Sequence, residues 1–400
     1  MKKSKVRQLA VILLTVIVLS SAACARKAAG PVPGEMEAEE NRGAWASFPM
    51  GVFYDGILYF YPESSPGGNE IVMDVDKKIV MAADLDTLET FPLCGKPECT
   101  HGRSGGCNAV LDGSVQEVFT VYNGRLYWVA MIKQRHFLYS AELDGSNHRE
   151  VTELDHELEM HMGGGLICIR NDRLYRLGTG SCIVNGAVVD TVTLYEQPLE
   201  KNSRPNVILR LEQPSNVMMK LAGGTLYAAV YDVGEEGLKA HHVTLIAYDT
   251  EAGAFDVLFD GSAPCGADDM LVAQDGKSIL FSSGPELFSF SLEDKSFSVL
   301  LDTGDAGFAS DGMRFIITSK TGFRCADHED NTVFEGELQA EGSDPEGSYL
   351  KRYIGFYKGC FYLSLDSWKD DGWRILRIDP QNKKVELVCS GRGNSVTSGS

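Results

Sequence analysis

A short phrase that repeats along the chain constrains the fold more than any other feature of the sequence. In each copy, apolar or aromatic residues precede an Asp-Gly, Asn-Gly or similar pair, and Leu-Tyr or a substitute follows. Asp-Gly and Asn-Gly between β-forming residues predict a tight hairpin, because type I′ turns need positive φ. The seven copies are centred on residues 52–59, 121–127, 170–175, 222–227, 274–281, 310–315 and 357–362.

A second signal follows most copies and predicts another hairpin in each unit. It consists of an apolar strand, an Asp-centred turn and a further apolar strand, as in 137–146, 245–250, 287–294 and 375–380. Two hairpins make four strands, and a four-stranded unit that recurs about every fifty residues is typical of a propeller blade. We therefore predict an all-β fold, a β-propeller of four-stranded blades. Seven blades are expected, with six or eight left open because the copy at 310–315 is poorly formed.

One copy carries a resemblance to a known family. Leu126-Tyr127-Trp128, followed by the segment 138–147, resembles a repeat of the YWTD propellers of the low-density-lipoprotein-receptor type. Val129 follows Trp128, so the full tetrapeptide is absent. Over residues 50–390 the chain resembles bacterial lipoproteins with a propeller of that kind, many from anaerobic Firmicutes. The resemblance implies the fold and carries over no biochemical role.

The N-terminus has the three parts of a secretory signal. Four basic residues precede an apolar run over 9–19, and the small residues Ser20 to Ala23 precede Cys24. This order resembles the bacterial lipoprotein signal, although Ser21 stands where that family usually has leucine. We predict a signal peptide over 1–23 and lipidation of Cys24, which implies export and a lipid anchor at the outer face of the cell membrane. Secretion after Ala23 and an uncleaved anchor remain alternatives.

The remaining chain divides into three further parts. Residues 24–47 hold the lipidated cysteine and a flexible acidic tether, since they offer few apolar groups to bury. Residues 48–389 form the propeller, with a cysteine-histidine insertion at 94–107. Residues 390–400 are polar and are expected to form a disordered tail.

The charge of the chain argues against partners that are themselves strongly negative. The net charge is −19, and removal of residues 1–23 takes away four positive charges and no negative one, which gives −23 (−19 − 4). Such a surface argues against nucleic acid and against an anionic membrane surface as partners.

The densest chemistry lies in the insertion at 94–107. It contains Cys94, Cys99, His101 and Cys107. Four soft ligands of this type suit tetrahedral zinc, and a closed site of protein ligands would be structural rather than catalytic. The alternative is a disulfide between two of the cysteines, with the histidine incidental. The other cysteines of the body are scattered, and those in apolar strand-like contexts are read as small buried hydrophobes.

The insertion follows the fourth strand of the first blade. In a propeller, the connections between blades share one face with the loops between second and third strands. We therefore expect the insertion on the same face as the loops at 232–242, 319–331 and 366–372. These loops supply the candidate ligand-binding residues Glu235, His241, His242, His328, Trp368 and Asp370.

No catalytic motif stands out in the sequence. The leading hypothesis is a surface-anchored binding or scaffold module for a peptide, glycan or protein ligand. The alternatives are an extracellular enzyme acting on a glycan or peptide with its site in the propeller funnel, and a sensor subunit of a membrane complex.

Overall fold

The computed structural model describes residues 51–61, 79–99, 106–111, 114–133, 135–154, 159–160, 167–184, 187–212, 214–232, 241–264, 269–273, 276–283, 286–302, 307–310, 314–319, 322–327, 329–338, 349–367, 372–392 and 395–398. Within these ranges the chain forms thirty strands and no helix, and thus no helix that could cross a membrane. The signal, Cys24 and the tether lie outside the described residues.

The strands form seven sheets, each built from consecutive chain. Blade 1 contains β1 (Gly51–Tyr54), β2 (Ile57–Phe60), β3 (Met81–Asp84) and β4 (Thr90–Pro92). Blade 2 contains β5 (Ser114–Tyr122), β6 (Arg125–Ile132), β7 (Arg135–Glu142) and β8 (Arg149–Leu154). Blade 3 contains β10 (Ile167–Arg170), β11 (Arg173–Val184), β12 (Ala187–Pro198) and β13 (Asn206–Glu212), with β9 (Glu159–Met160) paired to β11.

The other four blades follow the same order. Blade 4 contains β14 (Pro214–Ala222), β15 (Thr225–Asp232), β16 (His241–Asp249) and β17 (Ala254–Ala263). Blade 5 contains β18 (Asp269–Val272), β19 (Ser278–Ser283), β20 (Glu286–Ser291) and β21 (Ser296–Asp302). Blade 6 contains β22 (Gly307–Ser310), β23 (Arg314–Thr318), β24 (Gly322–Asp327) and β25 (Thr332–Glu337). Blade 7 contains β26 (Tyr349–Tyr357), β27 (Cys360–Ser367), β28 (Gly372–Asp379), β29 (Lys384–Arg392) and β30 (Ser395–Ser398).

The predicted all-β propeller of seven four-stranded blades is confirmed. Each of the seven repeated phrases spans the turn between the first and second strand of a blade. In the first copy, Asp55 and Gly56 have φ values of +48° and +81°, and in the second Asn123 and Gly124 have +47° and +67°. Positive φ at both positions is the property for which Asp-Gly and Asn-Gly are suited.

The antiparallel order of the strands sorts the connections onto two faces. Turns between first and second strands, and between third and fourth strands, share the turn face, which includes Asn123-Gly124. Connections between second and third strands share the loop face with the links between blades. In blade 4, for example, β15 ends and β16 begins at the loop face.

The core lies between the blades. Six apolar clusters each combine residues from two or three neighbouring blades, so that every sheet buries its faces against the next. A single blade would leave those faces in water, and their burial is the main favourable term that closes the ring.

Among the described strands, none is exchanged between the first and last blades where the ring closes. Side chains hold this closing seam instead. The rings of Phe53 and Tyr357 stack with centroids 5.2 Å apart. The Gly56 N–H donates to the Tyr357 hydroxyl at 3.0 Å, and the Arg377 guanidinium donates to the Leu85 carbonyl. We call these five residues the closing seam.

The tail differs from the sequence-based expectation. Residues 390–400 were expected to be disordered, yet β29 continues to Arg392 and β30 (Ser395–Ser398) pairs with it. Alternating small and polar residues with Val396 suit an edge strand that has a template beside it, and such pairing is not visible from polarity alone.

Candidate functional site

The cysteine insertion forms a loop whose two ends meet at one residue of blade 1. The Leu93 N–H donates to the Val80 carbonyl at 2.9 Å, and the Val80 N–H donates to the Ala109 carbonyl at 2.8 Å. Ile79 and Val110 form a further antiparallel bridge. We call residues 93–110 the cysteine loop, and its neck is held by blade 1.

Three thiols converge just above this neck. The sulfur atoms of Cys94, Cys99 and Cys107 all lie within 4.8 Å of one another. Cys107 is buried, and the other two are partly buried. Among the described residues this is the one group of three Cys, His or carboxylate side chains close enough to share a metal ion. Cys94 and Cys99 are present as free thiols.

Backbone N–H groups point at two of the sulfurs in the same pattern. Lys96 donates to the Cys94 sulfur, and Ala109 donates to the Cys107 sulfur, two residues further along the chain in each case. The N–H of Asn108 makes a second bond to Cys94. Hydrogen bonds to a sulfur favour its thiolate form, which is the form that binds metals.

The ionisation of the two thiols is pushed in opposite directions. Burial opposes ionisation of Cys94, but the N–H groups of Lys96 and Asn108 and the neighbouring thiols outweigh it, so its pKa is lowered to about 6. Burial raises the pKa of Cys107 to about 11, and the sulfurs of Cys99 and Cys94 add to that rise. The thiols of Cys94 and Cys107 therefore resist simultaneous ionisation unless a cation lies beside them.

The spacing of the sulfurs fits a zinc ion. Four ligands at a Zn–S distance of about 2.3 Å in a tetrahedron place sulfurs about 3.8 Å apart. The three sulfurs lie within 4.8 Å of one another, so the distances between them must shorten by at most about 1 Å. Rotation of the cysteine side chains supplies a change of that size. His101, the fourth ligand predicted from the sequence, lies outside the described residues.

The cysteine loop leaves blade 1 after β4 and packs against blade 2. The Leu93 and Asn108 carbonyls lie against Gly145 in the β7–β8 turn, and the His148 Nε2 lies 2.9 Å from the Asn108 oxygen. The neck of the loop lies at the loop face, because Val80 directly precedes β3 and so ends the connection between the second and third strands of blade 1.

The predicted ligand-binding residues are only partly described. His241 and His242 are the first residues of β16, so they begin a strand at the loop face rather than lying within a loop. The exposed His242 ring lies 3.5 Å from the carboxylate of Asp260 on β17. Glu235, Trp368 and Asp370 lie outside the described residues.

His328 lies outside the described residues. The segment 319–331, which was expected to be one loop between a second and a third strand, contains β24 (Gly322–Asp327), the third strand of blade 6. The segment 319–331 was read as a single loop because β24 is short and contains Arg324 and Asp327 beside its buried residues.

Sequence reasoning missed a projecting hairpin in blade 3. The strands β11 and β12 have twelve residues each, and their last four pairs extend beyond the final pair with β13, which is Thr191 with Glu212. Ile183 and Val188 face each other near the tip and are 77% and 73% exposed. A run without charge over 177–189, which contains Asn185-Gly186, is the signal that could have revealed it.

Comparisons with known proteins identify the fold class and nothing narrower. No protein-family model matches the chain, and no curated protein matches it in sequence. Pyrococcus horikoshii acylaminoacyl peptidase is similar over 86% of this chain and 52% of its own, with 12% identity and a TM-score of 0.51. A prolyl endopeptidase is similar over 90% of this chain and 50% of its own, with 12% identity and a TM-score of 0.51.

A nidogen/laminin complex is similar over 70% of this chain and 94% of its own, with 9% identity and a TM-score of 0.40. The chain spans about half the length of the two peptidases. At these identities the likeness shows the fold alone. The chain is thus a seven-bladed β-propeller protein.

Proposed function

We propose that this protein is an extracytoplasmic binding scaffold, tethered to the membrane through a lipid on Cys24, that contacts a protein partner with the loop face of its propeller. The observation that carries the proposal is the projecting hairpin, defined as residues 181–190 of β11 and β12. It connects a second and a third strand, so it belongs to the loop face, where the sequence placed the binding residues.

The hairpin is exposed in a way that its own fold does not explain. Four residue pairs beyond the rest of the sheet make a ribbon about 13 Å long. Two strands alone are marginally stable in water, and aliphatic side chains at their tip gain no burial there. Ile183 and Val188 are the two most exposed large hydrophobic side chains among the described residues. A paired aliphatic contact of this kind marks an interaction site.

The chemistry of the hairpin favours a protein over a lipid surface. No charged residue occurs between Arg176 and Asp190, so the ribbon suits an apolar or neutral partner surface. The net charge of the whole chain is −19, which opposes close approach to an anionic bilayer. A partner protein can also add a strand along β12. The part of β12 that extends past its last pair with β13 has no paired strand on that side in the described sheet.

A site-specific cross-linking experiment tests the partner. A photoreactive amino acid replaces Ile183 in one variant and Val299 in a control variant, because Val299 is an aliphatic residue 58% exposed on β21. We expect a discrete protein adduct from position 183 in the intact host and none from position 299. Adducts with lipid, or the same adducts from both positions, would refute a protein-binding hairpin.

The anchor is tested separately. We expect wild-type protein to incorporate a labelled fatty acid and to sediment with membranes, and the Cys24→Ser variant to do neither. Release of both proteins into the medium would indicate ordinary secretion, and membrane association of the unlabelled variant would indicate an uncleaved N-terminal segment. Either result removes lipidation from the proposal and leaves the cross-linking result unaffected.

A further inference from the structure

We propose that Cys94, Cys99 and Cys107 bind a zinc ion, and that this ion is a structural cross-link that fixes blade 1 against blade 2. The site is separate from the hairpin, and the inference does not rest on the proposed function. It follows from where the thiols lie and from what blade 1 lacks.

Blade 1 has the weakest outer edge of the seven. Its fourth strand, β4, has three residues, whereas the fourth strands of the other blades have six to ten. A short outer strand buries little apolar surface against the neighbouring blade. The cysteine loop supplies the missing surface, because its residues Leu93 and Ala109 are buried in one cluster with Trp128 of blade 2.

The cysteine loop cannot hold that position through regular structure. Between the neck and the tip it contains no strand in its described residues, and its hydrogen bonds are short-range turns such as Cys99 N–H to the Lys96 carbonyl. Ordering an irregular loop costs conformational entropy, and no ladder of backbone hydrogen bonds offsets that cost. A cross-link across the neck restricts the unfolded loop and stabilises the ordered form.

Metal explains the thiols better than a disulfide does. A disulfide between two of the three would leave the third sulfur beside it without a role. A metal ion uses all three, and it accounts for the N–H groups of Lys96, Asn108 and Ala109 that surround two of the sulfurs. Such outer bonds orient thiolate ligands and partly neutralise their charge. Thiolate-rich zinc sites of this kind are structural.

Metal analysis of the purified chain tests the inference. Wild-type protein, prepared without oxygen, is expected to contain about one zinc ion per chain, and cobalt substitution is expected to give sulfur-to-cobalt charge-transfer absorption. Each of Cys94→Ser, Cys99→Ser and Cys107→Ser is expected to weaken zinc binding at least about 100-fold, because loss of an outer-shell partner alone costs up to that factor.

The matched control is Cys360→Ser. Cys360 is a partly buried thiol of blade 7 outside the cluster, so this variant is expected to keep its zinc. If a cluster variant fails to fold, the wild-type protein still decides, because a mercurial reagent must release one zinc ion as it modifies three thiols. Wild-type protein without zinc after zinc titration, a disulfide within the cluster, or equal loss in Cys360→Ser would overturn the inference.

Discussion

Blade 1 is held by two seams that are built in opposite ways. The closing seam to blade 7 uses aromatic stacking of Phe53 on Tyr357 and a cluster of large apolar side chains. The seam to blade 2 uses a three-residue outer strand and the irregular cysteine loop. The first seam is stable through packing, whereas the second depends on a cross-link in our account.

The cysteines of the two seams show the same contrast. Cys389 lies in the apolar cluster that contains Phe53 and Tyr357 of the closing seam. It is fully buried, and burial raises its pKa to about 12, so it behaves as a small hydrophobe. Cys107 lies in the other seam next to two further thiols. The role of a cysteine therefore follows from the residues around it and not from the residue type alone.

The largest expected effect is at the contact between the cysteine loop and blade 2. A Cβ at Gly145 would lie 2.1 Å from the Leu93 carbonyl oxygen, and the residue has a φ of +76°. We expect Gly145→Ala to lower the free energy of unfolding by more than about 4 kcal/mol, because backbone must move. The control Gly124→Ala, with φ +67° and open space, is expected to cost about 1–2 kcal/mol. Urea unfolding of both variants measures the difference, and equal losses would contradict the close contact.

Removal of the metal is expected to have the next largest effect. A ligand that binds the folded state at 1,000 times its dissociation constant contributes about 4 kcal/mol, so chelation removes up to that amount. Thermal unfolding with and without a chelator measures it in the wild type. The Cys94→Ser variant serves as the control, since chelator must leave its melting temperature unchanged. A shift of equal size in both proteins would point to an effect outside the cluster.

A smaller effect is expected in the closing seam. Tyr357→Phe keeps the ring stack on Phe53 and removes the hydroxyl that accepts the Gly56 N–H. We expect a loss of about 1 kcal/mol in urea unfolding, with the zinc content unchanged. A fall in zinc content would show that the two seams are coupled rather than independent.

The smallest effect is a pH dependence of the closing seam. Burial opposes ionisation of Glu386, but donors on Lys384 and Arg377 outweigh it, so its pKa is lowered. A carboxylate with a lowered pKa stabilises the fold above its unfolded pKa, and this contribution is lost as pH falls through the folded pKa. In chelated protein, we expect Glu386→Gln to be destabilising at pH 7 and nearly neutral at acid pH. An equal loss at both pH values would exclude this ionisation.

Much of the fold could be predicted because its signals are local. Asn123-Gly124, between Tyr122 and Leu126, forms the hairpin because both residues readily adopt the positive φ that the turn needs. Seven such hairpins at similar spacing imply blades, and blades must stack. The three cysteines of the site were likewise close in sequence, so their convergence was predictable from spacing.

The rest depends on contacts between distant residues. The contact of the cysteine loop with Gly145 and His148 could not be predicted, because these residues lie in another blade. The strand β24 was missed because it is short and half polar, so its strand character appears only once it pairs with β23. The projecting hairpin depends on where β13 ends, and sequence periodicity does not state where a neighbouring strand stops.

Hydrogen exchange of the wild-type protein, with and without a chelator, tests the central claim most directly. If zinc fixes blade 1 against blade 2, chelation must raise exchange at Val80, in the cysteine loop and in the β7–β8 turn, while exchange around Gly56 and Tyr357 stays the same. Unchanged exchange at the cysteine loop, or a rise confined to the closing seam, would contradict the account.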